Sequence, residues 1–580
     1  MSGSLIFCIC LAYFVAAYYL YGGLLRRMFA IDPRRPTPAT TEYDGLDYVP
    51  TPRIVLFGHH FASIAGPGPI VGPILAAYFG WLPALIWILV GCVFVGAFHD
   101  FAALVMSVRN RGRSISFVLE RLMGYTGRQL FLMFCLACLV LIVGIFSILV
   151  STLFVQMPSV ASASLLFIAL APGFALFTSG LRVGLRNASL VFVPLVFAAA
   201  FVGAQFPLDL VQGLGLDHAT ASMVWLAVLA VYIFGASIVP VQWLLQPRDY
   251  LNSYLLYAML LLGLCSILVY NPEVRLESFV GYEAVTADGH LTEMVPALFI
   301  LIACGACSGF HALVASGTTA KQVSSENDLL PIGYGSMIIE GVVGVMALVA
   351  VMSMDLETFR ELGRNQPLAF ATGIASFSEA LGLDAHYTRI FISLAISAFM
   401  LTSLDTATRL GRFLWQELFL PRSPADGAQE APAGRARPPQ LSPWRRVITH
   451  PALASCIIVG LSLAMALTGK AASIWPIFGA SNQLMAALTF LAITLYMLTR
   501  GMKWILAFIP MCFMLVMSLW GVVQVITIQW GHSSILVGAG LILLVMSLLL
   551  TGIGISIMQQ QLRSRFRGGA VTPPGMDVAD

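Results

Sequence analysis

Histidines in apolar stretches are the residues of this chain best suited to chemistry. His59 and His60 stand together before a run of glycine and proline, and His311 lies in a second apolar stretch that is rich in serine and threonine. Histidine is the side chain whose unperturbed pKa brings its charge change between pH 5 and 8, so all three could take up and release protons. An ionisable side chain at membrane depth is costly, which makes it a functional candidate by default.

Two acidic residues also fall within apolar stretches. Asp100 follows His99 towards the inner end of one stretch, and Glu340 lies near the beginning of another. A carboxylate at membrane depth carries a proton or pairs with a cation. Both are candidates for ion coupling, and the alternative is an ion pair with an arginine at the inner surface, which we favour slightly for Glu340.

The run Gly66-Pro67-Gly68-Pro69 interrupts an apolar stretch of membrane length, from Ile54 to Phe79. Glycine disfavours a helix and proline removes a backbone donor, so this stretch cannot be one continuous helix. In hydrocarbon such a break survives only where protein or a water-filled cavity satisfies the freed backbone groups, and broken helices mark solute sites in secondary transporters. We predict that the two glycines let the backbone approach a solute, that His59, His60 and Ser63 contribute to the same substrate site, and that the prolines are structural.

Two further stretches contain breaks. The first, from Ser222 to Leu245, contains Pro240, a predicted structural break. Gln246, Arg248 and Asp249 follow it near the inner boundary, where they form either a gate held by an ion pair or a contact with substrate. The stretch with Pro240 is the seventh apolar span and the glycine-proline run lies in the second. An offset of five spans is what an inverted repeat of five helices would produce.

The second of these stretches, from Met294 to Thr319, is the ninth apolar span. It combines Ser308, His311, Ser316 and Thr318 with small apolar neighbours. Ser308 and His311 are predicted to bind substrate.

Composition assigns the chain to the polytopic membrane proteins. Of its 580 residues 59% are hydrophobic and 10% are charged, and the mean hydropathy is +0.88. A soluble fold of that composition would lack a polar surface. Apolar runs of about 18 residues, the length that crosses a bilayer, occur about fifteen times. The expected fold is therefore an all-α bundle of about fifteen transmembrane helices.

The distribution of charge predicts the orientation of these spans. If the N-terminus is outside and the C-terminus inside, most of the 31 lysines and arginines fall on the cytoplasmic side, in agreement with the positive-inside rule. Residues 1–53 are predicted to form an anchor helix that is retained and a basic loop, and residues 54–420 the transport core. Residues 421–449, rich in Pro, Ala and Arg, are predicted to be a flexible cytoplasmic linker, and residues 450–580 the C-terminal helices and tail.

Ten cysteines include two pairs at the spacing of metal or redox motifs, Cys135-x-x-Cys138 and Cys304-x-x-Cys307. Both pairs lie in apolar spans and neither is accompanied by a second pair at the spacing of a zinc ribbon. We interpret the cysteines as small buried apolar residues and expect no metal and no cofactor.

Four motifs resemble the carbon starvation protein A family of bacterial inner-membrane nutrient transporters. They are Gly58-His-His-Phe-Ala-Ser-Ile-Ala-Gly66, Gln246-Pro-Arg-Asp-Tyr-Leu-Asn-Ser253, Ser308-Gly-Phe-His-Ala-Leu-Val-Ala-Ser-Gly-Thr-Thr319 and Phe478-Gly-Ala-Ser-Asn-Gln-Leu484. The resemblance covers most of the chain, although the outer loops are shorter than in long members. It implies uptake of peptides or, in some branches, pyruvate. It also implies a core of five-plus-five inverted repeats from the second to the eleventh span, with the second and seventh broken.

The resemblance also suggests where a coupling ion would bind. In sodium-coupled relatives of that fold, hydroxyls and carbonyls bind the cation, and here Ser316, Thr318 and Thr319 would supply hydroxyls and Ala62 a carbonyl. The alternative is that these hydroxyls bond only to the carbonyl four residues back in their own helix. The histidines favour a proton over sodium. In the last motif, Asn482 and Gln483 are predicted to cap or tether the thirteenth span.

The expected function is therefore an ion-coupled importer of small organic nutrients in the bacterial inner membrane, working by alternating access and not as an enzyme. The alternatives are a sodium-coupled symporter of the same fold and a membrane redox protein that depends on His and Cys. A channel would be expected to show a repeated filter segment, and a receptor an output domain. The expected partners are the solute and the lipid bilayer, with no nucleic acid.

Overall fold

The structure is a computed structural model that describes residues 2–45, 47–181, 183–240, 243–286, 289–420, 442–467 and 471–566, with only the backbone described at 179, 471–473 and 564–566. The fold is helical, as predicted. The predicted linker falls outside the described residues as far as residue 441, and its last part, Pro443–Ile448, forms a short helix.

The first part of the chain alternates long apolar helices with short connecting ones. Asp217 begins one of the long helices, because its carboxylate accepts hydrogen bonds from the backbone N–H groups of Ala219 and Thr220. In chain order the helices are α1 Gly3–Met28, α2 Pro38–Thr41, α3 Arg53–Ile64, α4 Gly68–Phe79, α5 Trp81–Val108, α6 Ile115–Gln156, α7 Pro158–Thr178, α8 Leu185–Gln205, α9 Leu210–Leu214, α10 His218–Ile238 and α11 Leu245–Tyr270.

The second part begins with an antiparallel hairpin of strands β1 Glu283–Val285 and β2 Leu291–Glu293. Helices follow to the end of the described chain. They are α12 Met294–Leu301, α13 Gly309–Gly317, α14 Glu326–Met352, α15 Leu356–Leu362, α16 Gln366–Ser378, α17 Ala385–Leu418, α18 Pro443–Ile448, α19 Pro451–Leu467, α20 Ala471–Thr499, α21 Ile505–Gln529 and α22 Ser534–Phe566.

The predicted count of fifteen spans is not confirmed. In the described part of the chain, twelve helices are long and apolar enough to cross a membrane, or thirteen if the bent pair α3 and α4 is one span. The other two predicted spans are present as shorter helices: α19 has 17 residues, and the ninth span is divided between α12 and α13. Helix α16 was missed, although it packs against α11, α14 and α17.

The expected break at Pro240 is wrong. Helix α10 is continuous and ends at Ile238, so Pro240 lies in the connection to α11, which begins at Leu245. Proline disfavours helical backbone in the residue before it, and here it terminates a helix that already has membrane length. The second broken span is instead the ninth, where residues 302–308 separate α12 from α13.

The two broken spans pack against each other in antiparallel fashion. Helix α3 contacts α13, and α4 contacts α12. The axes of α3 and α4 differ by 44°. An ideal Cβ at Gly68 would lie 2.3 Å from Cβ of Cys304, which shows how closely the two breaks approach. The breaks therefore meet inside the bundle.

The helices around the broken pair repeat the same contacts. Helix α11 packs against α3, and α20 packs against α13. Helices α10 and α19 each contact both of the long helices α6 and α17, which also pack along each other. Helices α19 and α20, which were predicted to belong to a separate C-terminal segment, thus pack within the main bundle. Helices α7 and α8 form a hairpin that packs mainly on itself and on α11 and α17.

The bundle has two distinguishable ends. We call the arginine-rich face the end where Arg35 and Arg109 both contact the buried carboxylate of Glu326. At the other end, which we call the opposite face, the backbone of Gly3 bonds to Pro272 and that of Arg275 bonds to Met352. The broken spans run between these two faces.

Candidate functional site

The break between α3 and α4 is covered by protein. The Ser403 hydroxyl of α17 donates to the carbonyl of Ser63 at 3.3 Å, so a carbonyl next to the break has a partner. The Ser63 hydroxyl itself donates to the carbonyl of His59 at 2.8 Å, within its own helix. Cys304 fills the space in front of Gly68. In this conformation the close approach at that glycine is therefore to the other broken span.

The break between α12 and α13 is held by α20. The Asn482 side-chain oxygen accepts from the backbone N–H of Phe310 at 3.0 Å, and its amide nitrogen donates to the Ser308 hydroxyl at 3.0 Å. The Gln483 amide donates to the carbonyl of Phe299 on the other side of the break. These two residues tether α20 to both half-helices, and Asn482 satisfies an N–H group that the start of α13 leaves without a helical partner.

A cluster of titratable side chains lies beside the second break. His311 Nδ1 is 2.7 Å from Asp100 Oδ2, and His311 Nε2 is 3.4 Å from Glu340 Oε2. His99 Nδ1 is 2.8 Å from the other oxygen of Asp100. All four side chains are fully buried, and they come from α5, α13 and α14. The carboxylates are paired with histidine and not with an arginine at the surface.

Cys304 lies at the edge of this cluster. The ligand atoms of Cys304, His311 and Glu340 are all within 4.8 Å of one another, a set that suits a borderline or soft divalent metal. His311 Nδ1 is hydrogen-bonded to Asp100, whereas His311 Nε2 lies 3.4 Å from Glu340 Oε2 without a hydrogen bond between them. We interpret the group as a cluster of ionisable side chains. Cys307, the other member of the Cys-x-x-Cys pair, is buried outside it.

The second buried histidine joins the two broken spans directly. His60 Nδ1 lies 2.8 Å from the Thr319 hydroxyl, while its Nε2 has no hydrogen-bond partner among the described residues. Ser316 and Thr318 donate instead to the carbonyls of Ala312 and Val314, at 2.8 and 2.9 Å. Of the three hydroxyls considered as cation ligands, two are thus engaged within their own helix.

Ala62, considered for its carbonyl, is fully buried in the last turn of α3.

A buried ion network closes the arginine-rich side of the broken pair. Arg248 contacts Asp405 and lies 3.2 Å from Asp249, and the Tyr232 hydroxyl donates to Asp405 at 2.7 Å. His59 Nδ1 lies 3.1 Å from Asp249. The network joins α3, α10, α11 and α17 through side chains of which Arg248, Asp249 and Asp405 are fully buried.

Sequence reasoning missed Asp405 and Tyr232. The apolar run that begins at Ile390 ends at Leu404, so hydropathy alone places Asp405 outside it, whereas α17 continues to Leu418. An acidic residue directly after an apolar run, on a helix that continues, was the available signal.

Two cavities flank the broken pair. The cavity on the opposite face has a volume of about 1160 Å³, including space open to solvent, and it reaches Val71 of α4 and Ile300 of α12. The cavity on the arginine-rich face has a volume of about 580 Å³ and is lined by His59, Gln246 and Thr318 among others. Gly68, His60 and His311 line neither cavity and are buried between them.

Comparison with known proteins agrees with the sequence motifs. The family model described as carbon starvation protein CstA matches residues 2–368 and 362–521. Peptide transporter CstA of Bacillus subtilis is 33% identical over 508 residues, covering 81% of this chain and 81% of that protein. Peptide transporter CstA of Campylobacter jejuni is 30% identical over 576 residues, covering 88% of this chain and 78% of that protein.

A third relative carries a different name. The pyruvate/proton symporter BtsT of Escherichia coli is 29% identical over 587 residues, covering 88% of this chain and 79% of that protein. Among solved structures, a manganese transporter of Eremococcus coleocola aligns over 90% of this chain and 99% of its own with a TM-score of 0.48 and 12% identity. The family match spans more than half of the chain and confirms the resemblance seen in the motifs: this multi-pass membrane protein belongs to the carbon starvation protein CstA family.

Proposed function

We propose that this protein is a secondary active transporter of the bacterial inner membrane that imports peptides or pyruvate by alternating access. The observation that carries the proposal is the position of the two breaks, which meet inside the bundle between cavities on opposite faces. Non-helical backbone at membrane depth persists only where protein or a water-filled cavity satisfies it. The names of the relatives, peptide transporter and pyruvate/proton symporter, support these solute classes.

The repeated helix contacts support an inverted repeat, with the broken spans α3–α4 and α12–α13 as the first helices of its halves. In this assignment the contact of α11 with α3 in the first half corresponds to the contact of α20 with α13 in the second half. Helix α10 of the first half corresponds to α19 of the second. The arginine-rich face is the cytoplasmic face, with the N-terminus outside, as the positive-inside rule favours.

The network of Arg248, Asp249 and Asp405 acts as the gate on that face. If a path opens towards the cytoplasm between α3, α11 and α17, these charged side chains must move apart or become exposed to water. Because breaking a buried ion pair leaves an uncompensated charge, the closed arrangement is held firmly until a solute-driven rearrangement hydrates it.

The coupling ion in this proposal is a proton, carried by the cluster of Asp100, His311 and Glu340. With both carboxylates ionised and the imidazole protonated, the three groups carry a net charge of −1, and one additional proton makes them neutral. A neutral cluster crosses the occluded state at lower cost than a charged one, because burying an unbalanced charge is expensive. Both oxygens of Glu340 lack a hydrogen-bond partner among the described residues, so this carboxyl group can accept the proton.

Transport by purified protein in liposomes tests the proposal. We expect labelled dialanine or pyruvate to accumulate under an imposed pH gradient, acid outside, and not under a sodium gradient alone. Glu340→Gln is expected to keep solute counterflow, which needs no net proton movement, and to lose accumulation driven by the pH gradient. Glu379→Gln, at an exposed carboxylate, is the matched control and is expected to retain both.

Accumulation driven by sodium alone, abolished in Thr318→Ala and unchanged in Glu340→Gln, would contradict the choice of ion. It would assign coupling to the hydroxyls at the end of the ninth span and leave the transporter assignment intact. Absence of counterflow for both solutes in the wild-type protein would contradict the assignment itself.

A further inference from the structure

The cavity on the opposite face has its own polar lining, separate from the buried residues at the breaks. It lies between the half-helices α4 and α12, the hairpin β1–β2, the turn from α15 to α16 and the end of α21. Amide and hydroxyl side chains, among them Thr152, Gln366, Gln524 and Gln529, alternate with apolar ones such as Trp475.

One side chain in this lining is charged. Arg364 is exposed, and among the described residues that line the cavity there is no aspartate or glutamate. In the described part of the chain no carboxylate lies within ion-pair distance of Arg364, whereas Arg35, Arg109 and Arg248 are all paired. The guanidinium group therefore has its donors available at the mouth of the path towards the breaks.

The turn that carries Arg364 is fixed by its neighbours. The Asn365 side-chain oxygen accepts from the backbone N–H of Leu368 at 3.3 Å and caps α16. The Gln366 amide donates to the carbonyl of Gly363 at 2.6 Å. Because both residues after Arg364 are held by hydrogen bonds, the base of its side chain has a defined position at the rim.

We propose that Arg364 binds the carboxylate of the incoming solute in this cavity, as a first site that the solute occupies before it reaches the breaks. Guanidinium matches a carboxylate with two parallel N–H···O bonds, so the site selects solutes that bear a free carboxylate. A positive charge in a cavity whose described lining contains no aspartate or glutamate also raises the rate of encounter with anions, and salt screens that effect. This inference rests on the proposed import of peptides or pyruvate and adds to it the group that the protein recognises first.

Uptake kinetics in proteoliposomes test the inference with four proteins: wild type, Arg364→Gln, Arg364→Lys and the control Arg360→Gln. Arg360 is exposed on α15, one turn before Arg364, and does not line the cavity. For dialanine we expect Arg364→Gln to raise KM about three- to tenfold with little change in the maximal rate, as loss of a partly solvated charge-assisted contact would produce. Arg364→Lys should restore part of the affinity, and Arg360→Gln should match wild type.

Two further measurements distinguish binding of the solute carboxylate by Arg364 from a non-specific effect of the substitution on transport. With pyruvate, which is an anion at neutral pH, the wild-type KM should rise with ionic strength, and that of Arg364→Gln should rise less. Alanyl-alaninamide, which lacks the carboxylate, should bind the wild type more weakly than dialanine does, as measured by competition. In Arg364→Gln the two compounds should differ less in apparent affinity.

An unchanged KM in Arg364→Gln, or a fall in its maximal rate alone, would overturn the inference about Arg364. Saturable uptake by the wild type would still support the proposed import in that case. If the wild type transports neither dialanine nor pyruvate, the proposed function fails first.

Discussion

Replacement of Gly68 by alanine tests whether the two breaks touch as the structure shows. A Cβ at position 68 would lie 2.3 Å from Cβ and 2.4 Å from Sγ of Cys304, whereas ordinary contacts of a Cβ are 3.4–4 Å. Cβ of Cys304 is fixed to its backbone and cannot rotate away. We therefore expect Gly68→Ala to force the half-helices α4 and α12 apart and to lower both stability and transport.

The magnitude follows from the cost of overpacking a buried contact. Extra methyl groups in a packed interior typically cost about 1–3 kcal/mol. Since about 1.4 kcal/mol is a factor of ten in an equilibrium constant, the unfolded fraction should rise by roughly one to two orders of magnitude. Gly305→Ala is the control, because a Cβ there meets its neighbours no closer than 3.5 Å. The measurement is the temperature of half-loss of the folded, monodisperse protein in detergent, together with solute counterflow.

A double replacement separates this contact from a general intolerance of alanine. Gly68→Ala combined with Cys304→Gly removes both clashing atoms and leaves the Cα at 3.6 Å, so we expect stability to recover. Gly68→Ala combined with Cys304→Ala keeps the clashing Cβ and should not recover. Recovery in both double variants, or wild-type stability of Gly68→Ala alone, would refute the packing of the two breaks against each other.

Three further outcomes are expected. Asp405→Asn should destabilise the protein by roughly 3–5 kcal/mol, because it leaves Arg248 buried beside one acidic partner fewer, and thermal unfolding of the purified protein measures the loss. Asn482→Ala should cost about 1–2 kcal/mol and reduce counterflow, since it removes the acceptor for the N–H of Phe310 at the start of α13; wild-type behaviour would show that the cap is dispensable. In a cysteine-free background, a cysteine in place of Gly531 should react with an impermeant thiol reagent from outside, and protection there would reverse the proposed orientation.

Local sequence was sufficient to locate the first break and the apolar segments. Gly66 and Gly68 have low helix propensity, Pro67 and Pro69 have no backbone donor, and no tertiary contact can restore what proline removes. The same reasoning failed at Pro240. A proline within an apolar run either interrupts a membrane span or ends it, and which of the two occurs depends on where the next helix begins. Residues 302–308 contain two cysteines and a glycine but no proline, so they carry no comparable local signal, and the residue that caps the helix after them, Asn482, is distant in sequence.

The pairing of the charged residues also required the structure. The sequence identified His311, Asp100 and Glu340 as separate candidates, and the fold brings them into one cluster from three helices. Their distances in sequence, 211 residues between His311 and Asp100, contain no local signal of contact. The sequence likewise identified Arg248 but not its partner Asp405. Asp405 follows the end of an apolar run, and such a run indicates where a helix lies in a membrane but not where the helix ends.

The misplaced break also changes how the repeat is counted. The sequence suggested an offset of five spans between the breaks, whereas the structure places them in the second and ninth spans, seven apart. Helices α7 and α8 account for the difference: they pack on each other and against α11 and α17, and α8 has only 28% of its most apolar window buried. Without this peripheral hairpin the offset returns to five, and an odd offset in either case keeps the broken spans antiparallel. The inverted repeat that we propose therefore survives the correction of Pro240, with α10 and α11 as intact helices of its first half.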